Sequence, residues 1–231
     1  MLVMKLAILI PAYNEHITLA RVIKTLPKRF NGVKTQEIVI INDGSKDSTE
    51  EIAKRLPVTL LSHWLNRGLG GALGTGLEYA KKNNFDLVVT FDADGQHAPE
   101  DIEKVIKPIL QKKADVVIGS RLKNPKGMPW YRIAGVWGLN IITLLLYWTW
   151  TTDSQSGLRA FSKKALEKME IQSNRMEVST EFFNEIQRNS LKKVEVPIKA
   201  IYTNYSLSKG QKNINVFKIL SKLIYQRFFS K

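Results

Sequence analysis

The chain has no cysteine among its 231 residues, which excludes a disulfide framework and thiolate chemistry and fits a reducing compartment. It also runs out of acid. Beyond Glu195 there is no carboxylate side chain, while Lys199, Lys209, Lys212, Lys218, Lys222, Arg227 and Lys231 follow. The formal net charge is +14, a balance that favours polyanions such as nucleic acid, anionic lipid or phosphorylated substrates. No secretory leader is expected: Lys5 is the only basic residue near the start, and the first apolar run stops at Tyr13-Asn14-Glu15 without a small-residue cleavage site. Long apolar runs are scarce. Residues 133–150 form an uncharged stretch of 18, near the lower limit for a bilayer span and interrupted by glycines and polar residues. Repeats and low-complexity tracts are absent. What remains is 44% hydrophobic and 24% charged, a globular chain long enough for one large domain or a domain with an appendage.

The pattern that is present is strand–helix alternation. Apolar runs at residues 5–10, 37–41, 58–61, 87–91 and 114–119 read as buried strands. Helical segments are predicted between them: from about Ile17 to Pro27 with Asn14 as a candidate cap, from Asp47 or Ser48 to about Leu56, through Lys82, and from Pro99 to about Gln111. This predicts an α/β fold, a mostly parallel sheet with helices on both faces. The alternation stops near Arg121, and residues 122–150 read as a separate excursion. Polar clusters close four of the strands: Pro11 to Glu15, Asn42 to Ser45, Asp92 to Gln96, and Ser120-Arg121. Ligands of open α/β sheets sit outside the carboxyl ends of the strands, so four such clusters on one edge point to a nucleotide site.

The most informative cluster is Asp92-Ala93-Asp94-Gly95-Gln96-His97. If the chain stays extended past Phe91, alternation aims Asp92, Asp94 and Gln96 the same way, three oxygen ligands for one hard cation. Magnesium and manganese choose such ligands and commonly hold a substrate phosphate as well. The competing reading is a polar turn, Asp-Gly being a common turn pair. The glycine-rich stretch from Asn66 to Gly76 fits neither nucleotide-binding fingerprint. Leu73 and Tyr79 stand where a dinucleotide fold needs its third glycine, and Leu77-Glu78 follows where a P-loop needs Lys-Ser. Close packing of a helix start against the sheet is the better reading for most of these glycines, with Arg67 and the amides there available to a phosphate.

Taken together the motifs resemble those of family 2 glycosyltransferases of the GT-A fold. Pro11-Ala12-Tyr13-Asn14-Glu15, Asn42-Asp43-Gly44-Ser45-Lys46-Asp47, Asn66-Arg67-Gly68-Leu69-Gly70-Gly71-Ala72, the acidic cluster and Gly119-Ser120-Arg121 follow in the family's order over roughly residues 5 to 210. Within that family the chain is most similar to the polyprenyl-phosphate (dolichol-phosphate) sugar synthases, through Asp153-Ser154-Gln155-Ser156-Gly157-Leu158-Arg159 and Ser208-Lys209-Gly210. The resemblance implies a catalytic domain over residues 1–210, with nucleotide contacts from Pro11, Ala12, Tyr13 and Glu15 and a base contact from Asp43. It implies that Asp92, Ala93 and Asp94 meet the diphosphate, and that Asp92, Asp94 and Gln96 hold Mg or Mn. It puts Arg121, Arg132 and Lys209 beside Asp94 as the catalytic set around the sugar-phosphate and acceptor phosphate. Asp153, Gln155, Ser156 and Gly157 fall on the acceptor side. Gln155 is the variant commoner in glucosyl-type members, which favours a UDP-sugar over a GDP-sugar as donor.

A lipid phosphate nucleophile is already anionic, so it needs cations beside it more than a base, and arginine offers a planar fork to phosphate. A sugar-hydroxyl acceptor would need a carboxylate base; Glu177 and Glu181 are the candidates, against an alternative in which they are the carboxylates of a helix's first turn. Single-step displacement would invert the anomeric centre. A nucleic-acid-binding module accounts for the charge but lacks any motif and would set acidic strand ends against phosphates, so no nucleic-acid partner is expected. A nucleotidyltransferase would want a glycine-rich basic loop after the first strand, where Pro11 to Glu15 is acidic and glycine-free.

Two segments bear on membranes. Residues 133–150 hold three of the five tryptophans, Trp137, Trp148 and Trp150, with Tyr147. Such aromatics favour the membrane–water interface. A span would separate Arg132 from Asp153 by a bilayer, so an interfacial helix or helix pair is expected instead. Residues 211–231 read as a basic amphipathic helix, with Val216, Phe217, Leu220, Leu223, Ile224 and Phe228 at helical spacing beside Lys218, Lys222 and Arg227. Core packing of both segments is the competing reading. The expectation is a peripheral protein on an anionic membrane surface, at the cytoplasmic face.

Overall fold

The computed structural model describes residues 4–202. Strands β1 (Met4–Ala12), β2 (Val33–Asn42), β3 (Thr59–Ser62), β4 (Leu87–Thr90) and β5 (Val116–Ser120) alternate with helices α1 (Leu19–Thr25), α2 (Thr49–Lys54), α3 (Leu69–Lys82) and α4 (Asp101–Leu110). Then come α5 (Trp130–Tyr147), β6 (Arg159–Ser162), α6 (Lys163–Lys168), α7 (Val178–Arg188) and β7 (Lys193–Pro197). The sheet order is β3-β2-β1-β4-β6-β5-β7. All pairings are parallel except those of β6, which runs antiparallel to both β4 and β5. β4 and β5 therefore point the same way as β1 and β2, and all four polar clusters reach one edge.

The alternation of β1 explains the two layers. Leu6, Ile8 and Ile10 face a core shared with Leu19, Val22, Ala53, Ile102 and Val105 of α1, α2 and α4. Ala7 and Leu9 face the other core, with Ala72, Leu73, Ala165, Phe182 and Phe183 of α3, α6 and α7. Both faces being covered, the strand reads as an unbroken apolar run rather than an alternating one. Burying each large side chain is worth about 1.5–3 kcal/mol, which is why the central strands tolerate so little polarity.

β1 runs two residues past its predicted end at Ile10, through Pro11 to Ala12. Leu9 O accepts from Phe91 N, so the odd residues of β1 turn their backbone groups towards β4. β4 pairs only as far as Leu9, so the N–H that Pro11 lacks has no strand opposite, and pairing with β2 continues to Ala12. Asn14 does not cap α1, contrary to the expectation from the sequence. It takes a left-handed conformation, φ 55°, and its Oδ1 accepts from Lys46 N at 2.9 Å, while Thr18 stands at the helix start. Asparagine tolerates that conformation, and the neighbouring loop offers its amide oxygen a partner.

The 122–150 excursion contains a single long helix, α5. One face is buried, with Val136, Leu139, Asn140, Thr143 and Tyr147, and the opposite face exposes Trp137, Ile141 and Leu145, flanked by exposed Trp130 and Trp148. Among the described residues no helix is long and apolar enough to cross a membrane. Lys209 and the 211–231 segment lie outside the described residues.

Candidate active site

The expected donor side is a set of loops stitched to one another. Asn14 N donates to Ser45 Oγ at 3.0 Å, and Glu15 N donates to Thr49 Oγ1 at 2.7 Å. His16 Nδ1 meets Asp47 Oδ2 at 2.5 Å, and Asp47 Oδ1 accepts from Thr49 N at 3.0 Å. Burial pushes the Asp47 carboxyl up, but hydrogen bonds from Thr49 and His16 outweigh it and hold it down at about 2. Of the expected nucleotide contacts, Tyr13 is exposed and Pro11 half-buried. Ala12 is buried, and Glu15 turns inward to accept from Thr18 Oγ1 at 2.8 Å.

Asp43 is likewise drawn inward. Its Oδ1 meets His63 Nδ1 at 2.7 Å and accepts from Arg67 N at 2.9 Å; its Oδ2 accepts from Asn66 Nδ2 at 2.9 Å and Gly68 N at 2.7 Å. The residue expected to read a base is thus first the anchor of the 63–68 loop, and a base would compete with these bonds. Gly44, at φ +67°, permits the approach, since a Cβ there would lie 2.6 Å from the backbone of Leu65 and Asn66. The glycine-rich stretch follows the close-packing reading, with a different partner. A Cβ on Gly70 would overlap Ser173 O, and Gly71 N donates to Asn174 O at 2.9 Å. Only Gly76 packs on the sheet, against Leu9 and Ile41. The amides of Arg67, Gly68 and Gly71 are therefore committed inside the protein rather than offered to a phosphate.

Past β4 the chain does not stay extended. Ala93 to Gly95 form a turn with Gly95 at φ +77°, a conformation that glycine adopts freely. Asp94 Oδ1 accepts from Gln96 N at 2.9 Å, and Gln96 Nε2 donates to Asp94 Oδ2. The expected third ligand thus holds the second one by its amide nitrogen. Asp92 Oδ2 receives His97 Nε2 at 2.9 Å. Thr90 Oγ1 donates to Gly157 O at 2.7 Å, which brings Gly157 so close that a Cβ there would overlap the Asp92 carboxylate. Burial pushes Asp92 up, yet the His97 hydrogen bond and the charges of His97, Arg121 and Arg159 hold it below the usual carboxylate range. Burial and the charge of Asp92 together push Asp94 up. An excess of negative charge on two adjacent hard-oxygen groups is what a divalent cation offsets. Among the described residues no group of three or more His, Asp or Glu could cage a metal unaided. Two carboxylates suit a cation that completes its coordination with substrate phosphate oxygens, so the donor set fits Mg or Mn.

On the expected acceptor side, Arg121 and Asp153 form a buried bidentate pair. Arg121 Nε donates to Asp153 Oδ2 at 2.7 Å and Nη2 to Oδ1 at 2.8 Å, with Arg121 N adding a third bond at 3.0 Å. Burial lowers the Arg121 pKa, but Asp153 more than reverses this and raises it. Arg159 is fully enclosed. Its Nη2 donates to Ser154 O at 2.9 Å and Ser179 O at 3.2 Å, and its guanidinium lies 4.6 Å from the Phe182 ring centre. Burial draws its pKa down to about 10 against the pull of Asp153 and Asp92. Arg132 lies over the Tyr202 ring at 5.2 Å. Gln155 Nε2 reaches Ser154 Oγ at 3.4 Å, and Ser156 Oγ is buried with no partner among the described residues. Glu181, a candidate base for a hydroxyl acceptor, spends both oxygens on Gln172 N and Ser173 N at 2.8 and 3.0 Å, and Glu177 is buried.

His97, Arg159 and Asn140 received no role from the sequence. The first two sit inside the quoted motifs, and their position there was the available signal. Asn140 stood out only as a polar residue in an apolar run.

Comparison with known proteins bears on the family and the fold. Residues 7–170 match the model of the family described as glycosyl transferase family 2. An uncharacterised protein of Methanocaldococcus jannaschii is 49% identical over 227 residues, covering 96% of this chain and 92% of its own. The UDP-N-acetylglucosamine–dolichyl-phosphate N-acetylglucosaminyltransferase of Methanococcus voltae is 42% identical over 239 residues, 94% of each chain. In fold, the chain is similar to glucosyl-3-phosphoglycerate synthase of Mycobacterium tuberculosis, solved with Mn2+ and uridine-diphosphate-glucose. The TM-score is 0.65 at 18% identity, over 96% of this chain and 77% of that one. The sheet is accordingly of the GT-A type, and this chain belongs to glycosyl transferase family 2.

Proposed function

We propose that the chain transfers a sugar from a UDP-sugar to a polyprenyl (dolichyl) phosphate at a membrane surface, with inversion. The observation that carries this reading is the meeting of an acidic turn with buried arginines. Gly157, in the loop that carries Asp153, presses against the Asp92 carboxylate, and the charges of Arg121 and Arg159 act on it, which supports diphosphate and phosphate subsites that abut. An acceptor phosphate arrives already charged and must approach a charged donor. Arg121, Arg132 and, outside the described residues, Lys209 offset that repulsion. No general base is needed, and the commitment of Glu181 to backbone amides argues against a hydroxyl acceptor. Asp92 and Asp94 would hold Mg or Mn, which when bound stabilises the charge left on the departing diphosphate as a Lewis acid. His97 steadies Asp92 and Gln96 steadies Asp94. On the nucleotide side, Pro11, Tyr13 and the Asp43-anchored loop face the base. The dolichyl-phosphate relative supports the acceptor class, and its name makes UDP-N-acetylglucosamine the donor to assay first.

The outward face of α5, with Trp137, Ile141, Leu145 and Trp148, supports a peripheral site on lipid, and the basic residues 211–231 add roughly 1 kcal/mol each near anionic headgroups. The test is to supply the purified chain with Mn2+, UDP- or GDP-sugars, and either dolichyl phosphate in anionic vesicles or a soluble glycan. Sugar appearing on the lipid phosphate from a UDP donor supports the reading; transfer only to the glycan overturns it.

A further inference from the structure

Helix α5 is apolar on both sides, and its buried face carries one amide. Asn140 is completely enclosed. Its Nδ2 donates to Thr152 O at 2.9 Å, and its Oδ1 accepts from Ser154 N at 2.8 Å. The orientation of the amide is fixed by chemistry, because Thr152 O can only accept and Ser154 N can only donate. Between these two backbone groups stands Asp153, whose carboxylate grips Arg121 in the bidentate pair. The same short loop is held from the sheet as well. Thr152 Oγ1 meets Ser120 Oγ at 2.7 Å, and Thr152 N donates to Glu195 Oε2 at 3.1 Å. The sheet contacts come from β5 and β7. Asn140 instead ties the loop to a helix whose far side presents exposed Trp137, Ile141 and Leu145.

We propose that Asn140 is a positioning residue that couples docking of α5 on a lipid surface to the Asp153–Arg121 pair, and so sets the guanidinium for the acceptor phosphate. The coupling rests on the polyprenyl-phosphate reading above. A displacement of α5 is carried to both peptide groups flanking Asp153, and a shift of about 1 Å in a positioned group changes turnover by as much as 10²-fold. The coupling is local: the donor loops around Asp43 and Asp47 share no hydrogen bond with Asn140.

The test uses the full chain, a short water-soluble polyprenyl phosphate, and anionic vesicles that contain no acceptor. Wild type should sediment with the vesicles and turn over the soluble acceptor faster in their presence. Asn140→Leu, close in size but without either bond, should sediment equally and bind UDP with unchanged affinity by calorimetry. Its kcat should fall about 10-fold and the stimulation by vesicles should vanish. Asn140→Ala, which removes both bonds without adding bulk or charge, should behave as the leucine variant does and serves if that variant does not fold. Stimulation that survives in the variants, or UDP affinity that falls in step with kcat, overturns the proposal. Wild type that sediments but is not stimulated also overturns the coupling alone, whereas wild type that never sediments overturns the membrane reading beneath it.

Discussion

The two halves of the site are held together by different physics. On the donor side, loops at the ends of β1 and β2 are laced mainly by polar side chains and backbone amides: Asn14 to Ser45 and Lys46, His16 and Thr49 to Asp47, and the 63–68 loop to Asp43. The donor side buries a carboxylate as well, Asp43, but surrounds it mainly with amides; on the acceptor side opposite charges are buried against one another. Asp153 is fully enclosed, and Arg121 and Arg159 answer it and Asp92. A single hydrogen bond is worth about 1 kcal/mol net, whereas removing one partner from a buried ion pair costs about 3–5 kcal/mol. The donor half should therefore lose affinity by degrees when damaged, and the acceptor half should lose stability and turnover together.

The largest effect is expected where the halves meet. Asp94→Asn should lower turnover about 10³-fold, as loss of a preorganised charge partner does. Because burial and Asp92 already oppose the Asp94 charge, the neutral variant should melt no lower than wild type. Near-normal turnover in the presence of a chelator would remove the metal assignment. Next comes the acceptor pair. Arg121→Ala leaves Asp153 buried without its bidentate partner, so urea unfolding should show a loss of about 3 kcal/mol, at the low end for a broken pair because Arg159 remains to act on it. A loss below 1 kcal/mol would erase the contrast between the halves. Gly157→Ala probes the seam from the other side. Its Cβ must push the Asp92 carboxylate aside, and turnover should drop about 10²-fold while UDP affinity in the absence of metal holds.

The same contrast explains what could be read in advance. Strands β1, β2, β4 and β5 announce themselves because strands buried on both faces are unbroken apolar runs closed by turn residues. β6 and β7 do not: one is four residues beginning with Arg159, the other alternates lysine and glutamate with valine and is only half-buried. The carboxylates of the acidic turn lie together in the chain, so local chemistry exposed them. Their disposition was not legible, because Gly95 breaks the extended path on which the three-ligand geometry depended. Asp43 was found as a polar strand end, but its partners lie 20 to 25 residues away and turned it inward. Arg121 and Asp153 are 32 apart, and nothing local foretells that they are each other's partner.

The smallest effect sharpens the donor half. Asp47 is held at about 2 from an ordinary 3.8, because bonds from Thr49 and His16 outweigh burial. The folded chain therefore binds fewer protons at this site than the unfolded chain does. Its contribution is complete above about pH 4 and is lost as pH falls towards 2. The carboxylate is partly in water, so the contribution should be about 1 kcal/mol rather than the full value of the shift. Asp47→Asn keeps an acceptor for Thr49 N and removes the charge. The gap in unfolding free energy between wild type and this variant should be about 1 kcal/mol at pH 6 and close to zero at pH 2. Comparing the two proteins at each pH cancels the other carboxylates held low in the fold, Asp92, Asp115 and Glu195 among them. UDP affinity should weaken by a factor of about 3 at most, since the Asn14–Ser45 and Glu15–Thr49 bonds remain. A gap that is the same at both pH values would mean that Asp47 acts through shape and not charge, and that the donor loops are not held electrostatically at that point.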